Sequence, residues 1–247
     1  MKAPLLLLAV LVAAWEAVVR GGLVNRLLLP APTEIARSLW EDRSILAPDL
    51  AVTTWEVVLG LAAALALGVG LAVAMHLVPA VEQALRPLVV GSQAVPIPVL
   101  APLVVFVLGF GLAPKILIVA LICFFPIVVN VADGLRDSDP EARRLLRSLQ
   151  ASPWQRLRFL DAPSALPSGF TGMKIAASVA VIGAFLAETA GSTSGLGHLV
   201  VAANGQLESA RAFAASVLLI AEAVALYVLF AALERRVVSW APRGVRS

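Results

Sequence analysis

Hydrophobic residues are grouped along this chain in six continuous runs, each of roughly 20 residues, with polar segments between them. About 20 apolar residues cross a ~30 Å hydrocarbon layer as an α-helix. Backbone polar groups in lipid must be hydrogen-bonded, and uninterrupted rather than alternating runs favour helices over a β-barrel. We therefore predict an all-α polytopic membrane protein with six transmembrane helices, at residues 4–19, 53–78, 88–110, 114–131, 169–190 and 212–237.

The polar segments between the runs are of unequal length. None is long enough to fold as a separate soluble domain, so we expect a single transmembrane domain over residues 1–247, with its core at 53–237. The three longest segments are the link at 20–52, the insert at 132–168 and the Gly-rich link at 191–211. The insert is longer than a simple turn between two spans needs to be.

Proline and glycine modify the expected helices at defined places. Pro32 and Thr33 predict the start of a short helix in the first link, with an apolar side formed by Ile35, Leu39 and Trp40. Prolines interrupt the first half of the third run and predict a kink there, at Pro96, Pro98 and Pro102. In the second run, small residues are expected at helix–helix contacts, at Gly60, Gly68 and Gly70.

The arginines predict the orientation of the chain in the membrane. Both the insert at 132–168 and the C-terminal tail are rich in arginine, and six spans place these two segments on the same side. Because positive residues favour the cytoplasm, we expect the insert and both termini to be cytoplasmic, although the link at 20–52 also carries four arginines. The arginines of the insert and tail are Arg136, Arg143, Arg144, Arg147, Arg156, Arg158, Arg235, Arg236, Arg243 and Arg246.

The composition argues against several other classes of protein. The chain is 60% hydrophobic and 14% charged, whereas a soluble domain has roughly 25% charged residues. The formal charge of +3 is mild and no basic patch is interleaved with aromatics, so no nucleic-acid partner is expected. The single cysteine, Cys123, permits no internal disulfide. His76 and His198 lack nearby Cys or Asp partners in the sequence, so no metal site is predicted.

The insert at 132–168 contains two helix-start signals. Asp139-Pro140-Glu141 combines an N-cap, a proline at the first helical position and an acid in the first turn, and Ser152-Pro153 repeats the signal. Two short amphipathic helices are therefore predicted, the second ended by Pro163 and Pro167. From these residues alone, an interfacial helix on anionic lipid and a helix that docks a protein partner are equally supported. The expected apolar positions are Leu145, Leu146, Leu149, Trp154, Leu157 and Leu160.

Several segments taken together resemble one protein family. A Pro-Glu pair, a basic helix, Ala151-Ser152, Trp154-Gln155 and a Pro163-x-x-x-Pro167 motif follow one another as in the EAA loop of binding-protein-dependent ABC importer permeases. The resemblance extends over about residues 25–240 and points to the branch that handles nitrate, sulfonates, taurine and thiamine-pyrimidine precursors. The other segments that carry it are 29–34, 54–60, 96–111, 124–130, 182–188 and 194–197.

The chain also departs from the family pattern. The family loop has the form EAAxxxG, where this chain has Arg144-Leu145-Leu146 and Gln150, and the later Leu-Pro is Ala162-Pro163. Because glycine allows a sharp turn, its replacement by Gln150 alters the expected docking geometry, though not the role of the loop. In the second span, Glu56 stands where the family usually has arginine.

The resemblance implies the type I importer permease fold, with a cytoplasmic coupling helix between spans four and five. That helix would lie in a groove of a separate ATPase subunit, which would bind ATP and Mg²⁺, because this chain has no GxxxxGK[ST] motif and no cofactor of its own is expected. The other expected partners are a second permease copy in a homodimer, an extracytoplasmic solute-binding protein and the lipid bilayer, in a bacterial inner membrane. The expected ATPase contacts are Arg144, Leu145, Leu146, Leu149, Gln150, Ala151 and Ser152.

Polar residues within the runs are candidates for the transport pathway. Glu188 is costly at membrane depth and is expected to border the pathway or pair at the dimer interface, with snorkelling to the outer surface as the alternative. Glu222 is expected to pair between helices, and Lys174 and Glu56 to snorkel or pair. The segment 191–197 is interpreted either as a flexible turn or as an external gate. The pathway candidates are Gln93, Pro96, Asn130, Ser178 and Glu188.

Two other functions stay open at this point. An intramembrane enzyme, such as an acyl or prenyl transferase, would need an Asp/His cluster or a serine with a base near the membrane surface, and the two histidines are isolated in the sequence. A membrane scaffold would recruit a cytosolic partner through the same basic helix without transport. For the importer, a thiamine-pyrimidine precursor, a sulfonate, taurine and nitrate are the expected substrates.

Overall fold

A computed structural model describes the backbone of residues 2–92 and 94–240, and the side chains from residue 6 onward within these ranges. This part of the chain is helical apart from its turns, as predicted. A π-helical turn at Leu157–Asp161 joins two of its α-helices. The α-helices are α1 (Lys2–Arg20), α2 (Pro32–Glu41), α3 (Arg43–Leu77), α4 (Pro79–Ser92), α5 (Ile97–Leu108), α6 (Leu112–Arg136), α7 (Pro140–Ser148), α8 (Pro153–Arg156), α9 (Ala162–Gly191), α10 (Leu196–Gly205) and α11 (Ser209–Val237).

Four helical segments are long and apolar enough to cross a membrane, namely α3, α6, the continuous run Pro153–Gly191 and α11. A fifth span is obtained if the bent pair α4 and α5 is counted as one. The predicted number of six is therefore not confirmed, although α1 includes the residues of the expected first span. The described residues form a polytopic helical membrane protein.

The expected third span, 88–110, is not a single helix. α4 already begins at Pro79, and α4 and α5 are bent by 101° relative to each other. α4 ends at Ser92, and Pro96 lies in an extended conformation at the N-cap of α5, where proline also disfavours a helical residue before it. Pro98 lies in the first turn of α5, where no N–H is needed, and Pro102 lies inside the helix. The predicted kink is therefore a complete break.

The fifth span also differs from its prediction, because the helix before it does not end at the prolines. Pro153–Gly191 is one continuous run of 39 residues. In the π-helical turn, the N–H of Ala162 bonds to the carbonyl of Leu157, which widens the helix just before Pro163. Pro163 then lies in the first turn of α9, and Pro167 lies inside that helix.

The core is formed by α3, α6 and α9, which approach one another closely at small residues. α3 and α6 run parallel, and a Cβ atom at Gly60 or Gly68 would collide with Val119 or Ile127 of α6. Small residues allow such close backbone contact between membrane helices. The predicted packing role is therefore confirmed for Gly60 and Gly68. It is wrong for Gly70, where an added Cβ would have no neighbour within 4 Å.

The first link is mostly helical, because α2 begins at Pro32 as predicted and α3 begins well before residue 53. In α2, Ile35 is buried and Leu39 packs against the core. Trp40 was expected on the same side but is 71% exposed, and the guanidinium of Arg43 lies 4.7 Å from its ring centroid. Ser38 takes the buried position instead. The Gly-rich link at 191–211 likewise contains a helix, α10.

Candidate functional site

Polar side chains gather at the two ends of the bundle. We call the end where α3 and α6 begin and α9 ends the first end, and the end where α3 and α6 finish the second end. The insert forms a helical hairpin at the second end, consisting of α7, α8 and the turn between them (residues 139–156).

Both helices of the hairpin begin at the predicted caps. Asp139 accepts a hydrogen bond from the N–H of Glu141 (2.9 Å). Ser152 accepts one from the N–H of Gln155 (3.2 Å), while the Gln155 side chain accepts one from the N–H of Ser152 (2.8 Å). These bonds satisfy N–H groups that have no partner inside the helix, which is why the start signals predicted the helices correctly.

The turn between the two helices contains a residue in the left-handed region. Gln150 has a φ of +57°. Its N–H donates to the carbonyl of Arg147, and the N–H of Ala151 donates to that of Leu146, both at 2.9 Å. This is a Schellman motif, in which glycine is favoured because it has no Cβ. The sharp turn of the family loop is therefore present without the glycine, at a steric cost.

The outward face of the hairpin is apolar and basic. Leu145, Leu149 and Trp154 are 61%, 68% and 62% exposed, and Arg144 is also exposed. Leu146 is only half-buried, so it is less available to a partner than the other two leucines. Among the remaining predicted contact residues, Gln150 and Ser152 are exposed and Ala151 is half-buried.

The inner face of the hairpin is held to the bundle by Arg143. Its guanidinium donates to the carbonyl of Leu135 (3.2 Å), to Asp161 Oδ1 (3.1 Å) and to the hydroxyl of Ser138. Asp161 is buried, accepts a hydrogen bond from Ser138 (2.6 Å) and lies 2.9 Å from Nε2 of His76. The carboxylate of Asp161, near the start of the long helix, thus connects Arg143 of α7, Ser138 just before α7 and His76 at the end of α3.

This cluster corrects the prediction that His76 is isolated, because Asp161 lies against it from 85 residues further along the chain. An Asp/His pair near the end of the spans was the requirement for an intramembrane enzyme. However, Ser138 donates to Asp161 and makes no hydrogen bond to His76 among the described residues. A nucleophile needs a base within hydrogen-bond reach, so the arrangement is a structural connection.

A second buried cluster surrounds Glu188 at the first end. Glu188 is 1% exposed, and it accepts hydrogen bonds from the hydroxyl of Thr53 (2.7 Å) and the N–H of Gly197 (2.5 Å). The same hydroxyl accepts one from the N–H of Leu196 (2.9 Å). Glu188 therefore does not snorkel to the surface. It fixes the start of α10 against α3 and α9.

The segment 191–197 is hydrogen-bonded both within itself and to α3. The N–H of Gly195 donates to Asp49 of α3 (2.8 Å), and the hydroxyl of Ser192 donates to the carbonyl of Ser194 (2.6 Å). Gly195 has a φ of +102°, and a Cβ there would collide with the carboxylate of Glu188. Glycine is required at this position by both its backbone and its surroundings.

Glu56 belongs to the same cluster and forms an ion pair with a residue that sequence reasoning missed. Nζ of Lys115 lies 2.6 Å from Oε1 of Glu56, and the two side chains are 8% and 2% exposed. The other oxygen of Glu56 has no hydrogen-bond partner among the described residues, and its carboxyl group faces Glu188. Pairing, one of the two roles expected for Glu56, is therefore confirmed. The cost of an unpaired acid in a span could have prompted a search for Lys115.

The structure does not bring the five pathway candidates together. Gln93 lies outside the described residues, and Pro96 is exposed at the break before α5. Asn130 and Ser178 each donate to a carbonyl one turn back in their own helix, at 2.7 and 3.0 Å. Glu188 lies on α9 like Ser178, but roughly 15 Å further along the helix axis.

A largely apolar groove of about 530 Å³ lies between α9 and α11. Ser178, Ser216 and Tyr227 are the polar residues of its lining. Ser178 is therefore a pathway candidate that lines this groove.

Pairing was expected for Glu222 and was one of two roles expected for Lys174. Among the described residues, only Lys174 has a partner of this kind. Lys174 of α9 pairs with Glu234 of α11 at 2.7 Å, which confirms pairing as its role. Glu222 of α11 is buried beside Thr54 of α3. Neither of its carboxylate oxygens has a hydrogen-bond partner among the described residues.

Comparison with known proteins agrees with this architecture. Residues 64–239 match the family described as binding-protein-dependent transport system inner membrane component. The chain is 34% identical over 224 residues to a probable ABC transporter permease protein of Haemophilus influenzae, covering 91% of each chain. It is 36% identical over 196 residues to the formylaminopyrimidine transport permease protein ThiX of Halalkalibacterium halodurans, covering 79% of this chain and 78% of the relative. It is 31% identical over 240 residues to the taurine transport system permease protein TauC of Escherichia coli, covering 94% of this chain and 87% of the relative.

The family match and these relatives define a membrane transport subunit, and the apolar helical spans agree with that class. The chain belongs to the binding-protein-dependent ABC transporter permeases, which are inner membrane components. The family resemblance seen in the sequence is thereby confirmed.

Proposed function

We propose that this chain is the membrane permease of an ATP-driven importer, which moves a small polar solute delivered by an external binding protein. A separate ATPase subunit binds ATP and Mg²⁺, and two copies of this chain form the transport unit as a homodimer. Family membership supports the importer class. The observation that carries the proposal is the hairpin at residues 139–156.

The outward face of the hairpin supports docking of the ATPase. Leu145, Leu149 and Trp154 form an exposed apolar surface beside Arg144. Exposed apolar surface bordered by charge is typical of a protein-binding site, and an amphipathic helix that docks in a groove uses side chains at this spacing. The predicted contacts from Arg144 to Ser152 lie on this helix and its following turn.

The inner face of the hairpin supports the transmission of motion. Arg143 and Asp161 join it to α3 and to the long helix at residues 153–191. Asp161 is buried and Arg143 is half-buried, so separating the two is costly, and in this proposal the hairpin and these spans move together. In this proposal the second end and both termini are cytoplasmic, and the first end faces the binding protein.

The substrate proposal rests on the names of the relatives. Besides formylaminopyrimidine and taurine, those names include riboflavin and aliphatic sulfonates. We place a thiamine-pyrimidine precursor first, and sulfonates, taurine and nitrate as alternatives. Ser178 in the α9–α11 groove and Asn130 are the described residues nearest mid-span among the pathway candidates.

Co-purification with the ATPase subunit encoded beside this chain tests the proposal. The test variant is Leu145→Asp/Leu149→Asp, because both side chains are exposed and the change does not disturb the core. The matched control is Leu23→Asp/Leu28→Asp at the first end, where the two leucines are 78% and 74% exposed.

We expect wild type and control to bind the ATPase and to raise its activity, and the hairpin variant to insert normally without binding. Equal binding by the hairpin variant would contradict docking through this face. Binding by wild type with no change in ATPase activity would instead favour the scaffold function.

A further inference from the structure

A cavity of about 290 Å³ lies at the second end, between the hairpin and the end of α3. α3, α7, α8 and the π-helical turn each contribute side chains to it. The charged and titratable residues of its lining are His76, Arg143, Arg147, Arg156 and Asp161. Three guanidinium groups and one imidazole therefore line the same cavity as a single carboxylate.

The carboxylate of Asp161 is already fully engaged. Its Oδ1 accepts hydrogen bonds from Ser138 and Arg143, and its Oδ2 contacts His76. Arg147 and Arg156 form no ion pair and no side-chain hydrogen bond within the described part of the chain. The cavity thus has an excess of at least two positive charges, counted from Arg147 and Arg156.

The nearby acidic residues do not neutralise Arg147 and Arg156. Glu82 is paired with Arg136, and its carboxylate does not line the cavity. Asp139 accepts a hydrogen bond from the start of α7, away from the cavity lining. Arg147 is exposed and Arg156 is half-buried, so the two guanidinium groups line a partly open cavity without a counter-charge, which suits an external anion.

We propose that this cavity binds a phosphate group. Guanidinium groups bind phosphate oxygens with pairs of parallel hydrogen bonds, and a tetrahedral group has enough oxygens for both Arg147 and Arg156. The phosphate can belong to a soluble phosphate or to the headgroup of an anionic phospholipid. In either case it joins α7 to α8 across the turn at Gln150 and stabilises the hairpin against the end of α3.

The binding site does not depend on the proposed docking face. Leu145 and Leu149 point outward, whereas the cavity lies on the inner side of the hairpin. Loss of ATPase binding would therefore leave phosphate binding intact, and the two proposals fail separately.

The first experiment measures the unfolding temperature of the full chain in neutral detergent against inorganic phosphate, with ionic strength held constant by chloride. The test variant is Arg147→Gln/Arg156→Gln. The matched control is Arg158→Gln/Arg235→Gln, which removes two charges from exposed positions outside both the cavity and the docking face. A parallel series uses nanodiscs of phosphatidylcholine alone or with phosphatidylglycerol.

We expect a saturable rise in unfolding temperature for wild type and control. In the test variant the affinity should fall by roughly a hundredfold, because the loss of each guanidinium contact with the phosphate costs about a factor of ten. A rise with inorganic phosphate identifies a soluble ligand, and a rise with phosphatidylglycerol alone identifies a headgroup. The proposal is overturned if neither anion gives a saturable rise, or if test and control variants lose it equally.

Discussion

The ion pair between Lys115 and Glu56 leads to a sharp prediction about stability. Lys115→Met removes the ammonium group and keeps much of the side-chain volume. It leaves the carboxylate of Glu56 buried at 2% exposure, facing Glu188 and without the hydrogen-bond partner that it has among the described residues. The ammonium is the positive charge that pairs with Glu56, which in turn faces Glu188, so its removal affects the cluster at the first end.

The expected cost follows from the burial of both partners. Removing one member of a buried ion pair destabilises a protein by about 3–5 kcal/mol, whereas replacing both members with neutral groups is often close to neutral. We therefore expect Lys115→Met to cost about 3–5 kcal/mol and Lys115→Met/Glu56→Gln to recover at least about 2 kcal/mol of it. The distance of 2.6 Å between Nζ and Oε1 makes this pair a direct contact.

A double-mutant cycle measures this effect. Each variant is purified in detergent and unfolded by titration with SDS, and helix content is followed by circular dichroism. The control is the same cycle on Arg37→Met and Glu41→Gln in α2, whose side chains are 3.0 Å apart but 76% and 61% exposed. An exposed pair of this kind contributes roughly 0.5 kcal/mol.

Two results would refute the reasoning. One is a cost below about 1 kcal/mol for Lys115→Met, which would mean that water or lipid headgroups reach the pair. The other is a double variant whose cost equals the sum of the single costs, because the two side chains would then be energetically independent.

Two further predictions concern glycine positions. Gln150→Gly should stabilise the hairpin by about 1 kcal/mol, because a left-handed φ of +57° is costly for a residue with a Cβ; a lower unfolding temperature of the variant would contradict this. Gly60→Ala should destabilise the bundle by about 1–3 kcal/mol through collision with Val119, whereas Gly70→Ala in the same helix should be neutral or slightly stabilising. Equal SDS unfolding curves for the two alanine variants would count against the packing of α3 on α6.

Features that depend on neighbouring residues were predictable from the sequence. Asp139 and Ser152 marked the starts of α7 and α8, because a capping bond joins residues only two or three positions apart. Continuous apolar runs indicated membrane helices, because a span must satisfy its own backbone. The basic hairpin and the family resemblance were found from such local patterns.

Helix continuity was less predictable, because proline has different effects in different positions. Pro96 lies at the break between α4 and α5, whereas Pro163 and Pro167 lie within a continuous helical run. Before Pro163, the π-helical turn at Leu157–Asp161 shifts the backbone hydrogen bonds, so the helix continues through this proline. The sequence contains no simple signal for that turn.

The partners of the buried charges were decided by the tertiary structure alone. Lys115 reaches Glu56 from 59 residues away and Asp161 reaches His76 from 85 residues away. A single sequence shows that such groups are costly in a membrane, but it does not show which distant side chain offsets the cost. The packing of α3, α6 and α9 determines which side chains pair, because close helix contacts at glycine bring specific turns within hydrogen-bond distance.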